Sequence, residues 1–200
     1  MSARRRIQAG LACVAMLGIA AFAIGTAPTS EQLTEPFYVS GASNEPVETR
    51  TLTVEVQGAR LTRALDVTER QTLTFSLDVL DTEQTWVIVD AVVEARVANI
   101  SLDNTRLRIG GVEYRATDYL PPPALVGTVG DPGIPIAGSF AFEVPTAVLD
   151  LDVAADAELV LRSILSSQLD DIAVVAVDLS GLSVSDLEVI GSAEIAESRE

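Results

Sequence analysis

Apolar and polar residues alternate along most of the chain after residue 50. Leu52, Val54 and Val56 alternate with polar residues, and the same period recurs from Leu73 to Val79. This alternation is typical of strands that bury one face. Further strands are predicted over Thr85 to Val97, Gly138 to Pro145, Glu158 to Ile164 and Ile172 to Leu179. The pattern therefore predicts an all-β domain, an antiparallel β-sandwich of about eight strands.

A tight hairpin is predicted between residues 105 and 115. Thr105 to Ile109 and Val112 to Arg115 are short alternating segments, and Gly110-Gly111 separates them. A two-residue primed turn requires positive φ angles at both central positions, which glycine adopts freely. We expect Gly110 and Gly111 to form such a turn.

The stretch from Ala116 to Ala137 interrupts the strand pattern. It contains Pro121-Pro122-Pro123 and three glycines, and long loops inside compact domains are often functional. One interpretation makes it a binding surface, because proline restricts the backbone and lowers the ordering cost of an extended loop. The alternative is that its apolar residues cap one end of the core. The candidate binding residues are Tyr119, Leu120, Leu125, Val126 and Ile134.

The amino terminus has the layout of an export signal. Arg4-Arg5-Arg6 precedes the apolar segment 7–27, and the first acidic residue is Glu31. This charge bias keeps the amino terminus in the cytoplasm and sends the rest across the membrane. The segment is either a retained single-pass anchor or a cleaved signal peptide with a site at Ala21-Phe22-Ala23. Apolar residues continue through Ile24, which favours the anchor; cleavage would make the protein secreted.

These patterns divide the chain into five parts. The parts are a basic cytoplasmic start at 1–6, a membrane segment at 7–27, an extracytoplasmic linker at 28–50, a β-sandwich at 51–190 and a polar tail at 191–200.

The charge of the predicted domain limits its partners. The chain has a formal net charge of −16, and all 13 of its basic residues are arginine. Because three of those arginines precede residue 7, the remainder carries ten arginines against 29 acids, a net charge of −19. Such a surface repels nucleic acid and favours neutral or cationic partners. Besides the membrane, we expect another envelope protein as the partner.

The composition excludes most catalytic machinery. The chain contains no histidine and no lysine, and its only cysteine, Cys13, lies in the apolar segment. Imidazole-dependent, thiol and amine nucleophile mechanisms are therefore unavailable to the predicted domain, as are common zinc and copper sites. Carboxylate chemistry remains, either as paired acids or as ligands of a hard cation. We expect no catalytic activity and no cofactor.

One cluster of acids has a composition that calcium favours. Asp150, Asp152, Asp156 and Glu158 lie within nine residues, and calcium prefers six to eight oxygen ligands. The cluster lacks the glycine and terminal glutamate of an EF-hand. The competing interpretation is a solvated strand face, with Leu151 turned toward the core.

The order of these segments resembles a known group of domains. The long strand Trp86 to Val97, the hairpin Leu107 to Tyr114, and Pro132-Gly133 leading into Phe142-Glu143-Val144-Pro145 precede two valine- and leucine-rich strands. This order, over roughly residues 50–180, is similar to immunoglobulin-like domains of Gram-positive and actinobacterial surface proteins. The resemblance implies an immunoglobulin-like sandwich behind a signal or single anchor, and it implies no catalytic residues.

Three functions are consistent with these observations. The first is a membrane-tethered extracytoplasmic binding or scaffolding module without catalytic activity. The second is an accessory subunit of an envelope transporter or permease. The third, which the missing histidine, lysine and cysteine disfavour, is a carboxylate-dependent hydrolase.

The charge bias of the amino terminus predicts the orientation of the domain. We expect external protease to digest the 50–190 region in intact cells whose outer wall has been removed, because the arginines before residue 7 hold the amino terminus inside. Immunoblotting against the carboxyl terminus measures this. Digestion only after lysis would show that the topology is wrong.

Overall fold

The computed structural model describes residues 15–22, 36–67, 79–120, 123–127, 129–162 and 171–196. The chain divides into two compact units, Met1–Glu35 and Pro36–Glu200. In the first unit residues 15–22 are helical, and the rest of the apolar segment falls outside the described residues. The described part of the chain contains no helix with the length and hydrophobicity that a membrane crossing requires.

The second unit is a β-sandwich, as the alternation predicts. In the described residues, one sheet has five strands in the order β1 (Phe37–Gly41), β11 (Asp171–Val177), β10 (Ala157–Arg162), β6 (Arg106–Ile109) and β7 (Val112–Arg115). The other sheet has seven strands. Its main path runs β12 (Val184–Ser185), β3 (Leu52–Asp66), β4 (Val79–Ala95), β9 (Pro135–Val144) and β14 (Glu194–Ile195), while β2 (Val47–Glu48) and β13 (Glu188–Val189) also pair with β3. A small separate pair joins β5 (Ile100–Ser101) to β8 (Val129–Gly130).

The two sheets share one hydrophobic core. Leu159 and Val175 of the five-stranded sheet and Val54, Val87 and Phe142 of the seven-stranded sheet belong to one cluster of buried side chains. They face inward because every second residue of a strand lies on the same side of the sheet. Full burial of each such side chain stabilises the fold by roughly 1.5–3 kcal/mol.

The sheets are joined along one side by a corner between β7 and β9. Ala116, directly after β7, forms a bridge with Phe142 of β9. The next backbone N–H, of Thr117, donates to the carbonyl of Ala141 at 2.8 Å. These two contacts pair main-chain polar groups at the point where the chain leaves β7 and meets the other sheet.

The hairpin predicted around the two glycines is confirmed. β6 pairs with β7 from Arg106↔Arg115 to Ile109↔Val112. Gly110 and Gly111 have φ angles of 56° and 84°, which a primed two-residue turn requires.

The prediction of a wholly antiparallel sandwich is wrong at three pairings in the described residues. β1 pairs with β11 in parallel, and β12 and β13 both run parallel to β3. These strands reach their partners through long connections, and a parallel partner requires such a connection because a tight hairpin can join only antiparallel strands.

The linker predicted over 28–50 is wrong from residue 36 onward. β1 lies beside β11 with Tyr38 opposite Ile172, and Val47 of β2 is buried opposite Val54. The backbone N–H of Arg50 donates to the Asp171 carboxylate at 2.7 Å. A strand added at a sheet edge is held by main-chain hydrogen bonds, so a short apolar island within a polar segment is sufficient. The sandwich therefore begins near residue 36 and not at 51.

The tail predicted over 191–200 also contributes to the sandwich. β14 pairs with β9 through Glu194↔Ala137 and Ile195↔Ile136. The backbone N–H of Ala193 donates to the carbonyl of Pro123 at 2.6 Å. This hydrogen bond joins the tail to the 116–137 loop.

The apolar residues of the 116–137 loop cap the core at the point where the tail arrives. Leu125 is completely buried and Val126 is nearly so. A Cβ atom built on Gly138 of β9 would lie 2.9 Å from the Leu125 side chain and 3.0 Å from that of Ala193. The glycine therefore leaves the space that Leu125 and Ala193 occupy, since contacts below 3.4 Å are repulsive for carbon atoms.

A second apolar cluster covers part of the outer face of the seven-stranded sheet. Trp86 and Ile88 of β4 project outward there and are covered by Leu65, Leu120 and Ile190, among others. The Trp86 indole N–H donates to the carbonyl of Leu80 at 3.2 Å, which satisfies the only polar atom of the side chain. Trp86 is thus buried, but outside the core between the sheets.

The capping position of Leu125 predicts a large effect on stability. Leu125→Ala removes buried methyl groups and leaves a cavity, so we expect the free energy of unfolding to fall by about 2–5 kcal/mol. Urea titration followed by the fluorescence of Trp86 measures this loss. Ile134→Ala in the same loop is the matched control, because Ile134 is 39% exposed. Equal losses in both variants would contradict the capping role.

Candidate functional site

The outer face of the seven-stranded sheet carries a groove at the end opposite Trp86. The groove has a volume of about 470 Å³, which is within the range of ligand pockets. Strands β3, β4 and β9 form its floor, and segments on either side form its walls. The lining residues are Thr53, Glu55 and Gln57 of β3, Val92 and Glu94 of β4, Pro135 and Ala137 of β9, and Pro46, Gly133 and Ala196 at the rim.

Strand register places these residues on the floor. Thr53 lies opposite Glu94, and Glu55 lies opposite Val92. On the other side of β4, Glu94 lies opposite Pro135. Their sequence neighbours face the core, so the period of two that builds the core also builds the groove.

Two carboxylates dominate the electrostatics of the groove. Glu55 and Glu94 are both half-buried, and the lining residues include no arginine. The carboxylate of Glu94 forms no hydrogen bond or ion pair with any residue that the structure describes. Low-dielectric walls strengthen the field of a carboxylate in a cleft. The groove therefore presents negative charge, with Val92, Pro135 and Ala137 as apolar surface beside it.

A network of charges holds the strands next to the groove. The Arg60 guanidinium donates to both Asp90 carboxylate oxygens, at 3.1 and 2.9 Å, and to Glu188 at 2.7 Å. The Ser139 hydroxyl donates to Asp90 at 2.6 Å. The network thus links β13, β3, β4 and β9. Burial lowers the pKa of Arg60, but the hydrogen bonds and charges of Asp90 and Glu188 outweigh burial and raise it.

The binding residues predicted in the 116–137 loop do not form one surface. Leu120, Leu125 and Val126 are buried, because the core and the outer cluster use them as caps. Their assignment to an exposed contact surface is therefore wrong. Tyr119 is 54% exposed and Ile134 is 39% exposed. The loop reaches the groove through Gly133 and Pro135 instead.

The four acids considered as calcium ligands do not assemble into a site. Asp150, Asp152 and Asp156 are exposed in a turn and a short 3₁₀ segment, and Glu158 forms an ion pair with Arg108 at 2.6 Å. Leu151 is 56% exposed, so the strand proposed there, with Leu151 in the core, is wrong. No group of three or more His, Cys, Asp and Glu side chains is placed to hold a metal ion in the described part of the chain.

The groove residues were not predicted as a site, although their strands were predicted. Glu55 and Glu94 have the pattern of ordinary polar residues on the solvent face of a strand. The available signal was that two long strands each carry an acid on one face. That signal is insufficient by itself, because the rim residues Pro46, Gly133 and Ala196 come from distant parts of the chain.

Two proteins of solved structure are similar to this chain. The yjhA protein from Bacillus subtilis is 13% identical, with a TM-score of 0.48 over 68% of this chain and 99% of that one. An uncharacterised β-sandwich protein from Clostridium difficile is 10% identical, with a TM-score of 0.43 over 75% of this chain and 99% of that one. No family model matches the chain, and no curated protein is significantly similar to it.

The dispersed acids predict that calcium has little effect on stability. A ligand that binds the folded state raises its melting temperature, so we expect calcium and chelator to give values within about 2 °C. Thermal melting at constant ionic strength, with magnesium as the control cation, measures this. A rise of about 10 °C in calcium alone would instead identify a site.

Proposed function

We propose that this protein is a membrane-tethered extracytoplasmic binding module of immunoglobulin-like type, and that it binds its partner in the groove of the seven-stranded sheet. The observation that carries the proposal is Glu94, a half-buried carboxylate without a partner among the described residues, on the floor of a cleft of about 470 Å³. A half-buried charge is costly unless it is paired. A cationic ligand would supply the missing partner.

The construction of the groove supports a binding role. Its floor belongs to the central strands β3, β4 and β9, which the Arg60 network ties together. A binding site on a rigid sheet loses little conformational entropy when the ligand arrives. The polar groups that line the groove are carboxylates, a hydroxyl and an amide, and groups of these kinds form hydrogen bonds with ligands.

The chemistry of the groove defines the ligand class. We infer that the ligand is an extended segment of another envelope protein that carries an arginine or lysine. The carboxylates of Glu55 and Glu94 would bind its charged head, and Val92, Pro135 and Ala137 would contact its aliphatic stem. A permease segment of this kind would make the protein an accessory subunit of a transporter complex.

Synthetic peptides test the charge preference of the groove. Three eight-residue peptides differ only in a central arginine, glutamine or glutamate, and fluorescence anisotropy measures their binding to the full chain in neutral detergent. We expect the arginine peptide to bind at least about tenfold more tightly than the glutamate peptide, a difference of roughly 1.4 kcal/mol. The difference should shrink with added salt.

Variants locate that binding. Glu94→Gln and Glu55→Gln should each weaken binding of the arginine peptide by about tenfold, because each removes one charge partner. Asp118→Asn is the matched control, since Asp118 is exposed and lies outside the groove. Equal affinity for the three peptides, or equal losses in Asp118→Asn and Glu94→Gln, would refute the groove as the binding site.

A further inference from the structure

The outer face of the five-stranded sheet has the opposite charge from the groove. Arg106 and Arg108 of β6, Arg115 of β7 and Arg162 of β10 all project from it, because their neighbours Leu107 and Leu161 face the core. Four of the ten arginines beyond residue 30 thus lie on one face of a chain whose net charge is −16. We call these four residues the arginine cluster.

Only part of the arginine cluster is neutralised. Arg108 pairs with Glu158 at 2.6 Å, and Arg162 pairs with Glu113 at 3.3 Å. Arg106 and Arg115 lie directly opposite each other in the β6–β7 register. Neither has a carboxylate within ion-pairing distance among the residues that the structure describes.

This arrangement is unfavourable without a counter-ion. Like charges directly opposite each other destabilise a pair of strands. Burial and the positive charges of Arg115 and Arg162 lower the pKa of Arg106, and Glu113 opposes them only in part. The Nε of Arg162 is buried and has no hydrogen-bond acceptor among the residues that the structure describes, whereas buried polar atoms are normally satisfied.

We propose that Arg106, Arg115 and Arg162 form a site for a phosphate group. Guanidinium groups present paired N–H donors that match the oxygens of phosphate. One tetrahedral anion between Arg106 and Arg115 would reduce the repulsion between the two guanidinium groups. Its oxygens would accept hydrogen bonds from several of their N–H groups. Val160, which is fully buried beside them on the same face, limits competing hydration. The phosphate is either free in solution or part of a phosphodiester such as a lipid head group.

Thermal melting of the full chain in neutral detergent tests the site. The probes are inorganic phosphate and glycerophosphoglycerol, each compared with chloride at equal ionic strength and pH. We expect at least one probe to raise the melting temperature by about 3 °C at roughly ten times its dissociation constant. A response to inorganic phosphate alone identifies free phosphate as the source, and a response to the diester identifies a head group.

The variant Arg115→Gln separates a site from a general salt effect. It should abolish the shift and also raise the melting temperature in chloride, because it removes one of two opposed charges. Arg63→Gln, at an exposed position on the other sheet, should retain the full shift. The proposal is overturned if neither probe shifts the wild-type protein. It is also overturned if Arg115→Gln shifts as much as the wild type.

Discussion

The pairing of β4 on both sides is the constraint on which the rest of the structure depends. β4 is antiparallel to β3 along one edge and to β9 along the other. Because side chains alternate, this double register decides at once which residues enter the core and which face outward. A shift of one residue would move Val87 and Val93 to the surface and bring Glu94 into the core. The burial of Val87 and Val93 in the core therefore keeps Glu94 on the outer face.

Irregularities in the β3–β4 ladder divide the outer face into separate regions. The register shifts between Val56 and Gly58 and again between Thr62 and Ala64. Such bulges bend a strand and change which side chains stand together. Along the outer face the groove lies at one end, the Arg60 network follows, and the apolar cluster around Trp86 lies at the other end. One continuous sheet thus presents three different surfaces.

The two outer faces of the sandwich differ in charge although the chain is strongly acidic. The groove is lined by Glu55 and Glu94 without an arginine. The opposite sheet concentrates arginines, of which Arg106 and Arg115 lack acidic partners within the described residues. The two regions of opposite charge therefore lie on different sheets of the sandwich.

The sequence by itself determined the class of fold and the chemistry that is absent. Alternation over β3, β4 and β9 predicted a sandwich because burial of one strand face imposes a period of two. The Gly110-Gly111 turn was also predictable, because positive φ at both positions strongly favours glycine. The sequence also shows that no histidine or lysine is present. Mechanisms that need an imidazole or amine side chain of this chain are therefore unavailable to it.

Only the tertiary structure decided which polar and apolar residues come together from a distance. Leu125 has the same local pattern whether it is exposed or buried, and its burial depends on the space left by Gly138 and Ala193. Glu94 has the local pattern of any solvated strand acid, and only the fold brings Gly133 and Ala196 to line the same groove. The edge strand Phe37–Gly41 has too little periodicity to predict, because an edge is held by backbone hydrogen bonds that any sequence can supply. Contacts between residues that are distant in sequence produce no periodic pattern of apolar residues along the chain. They can therefore be identified only in the folded structure.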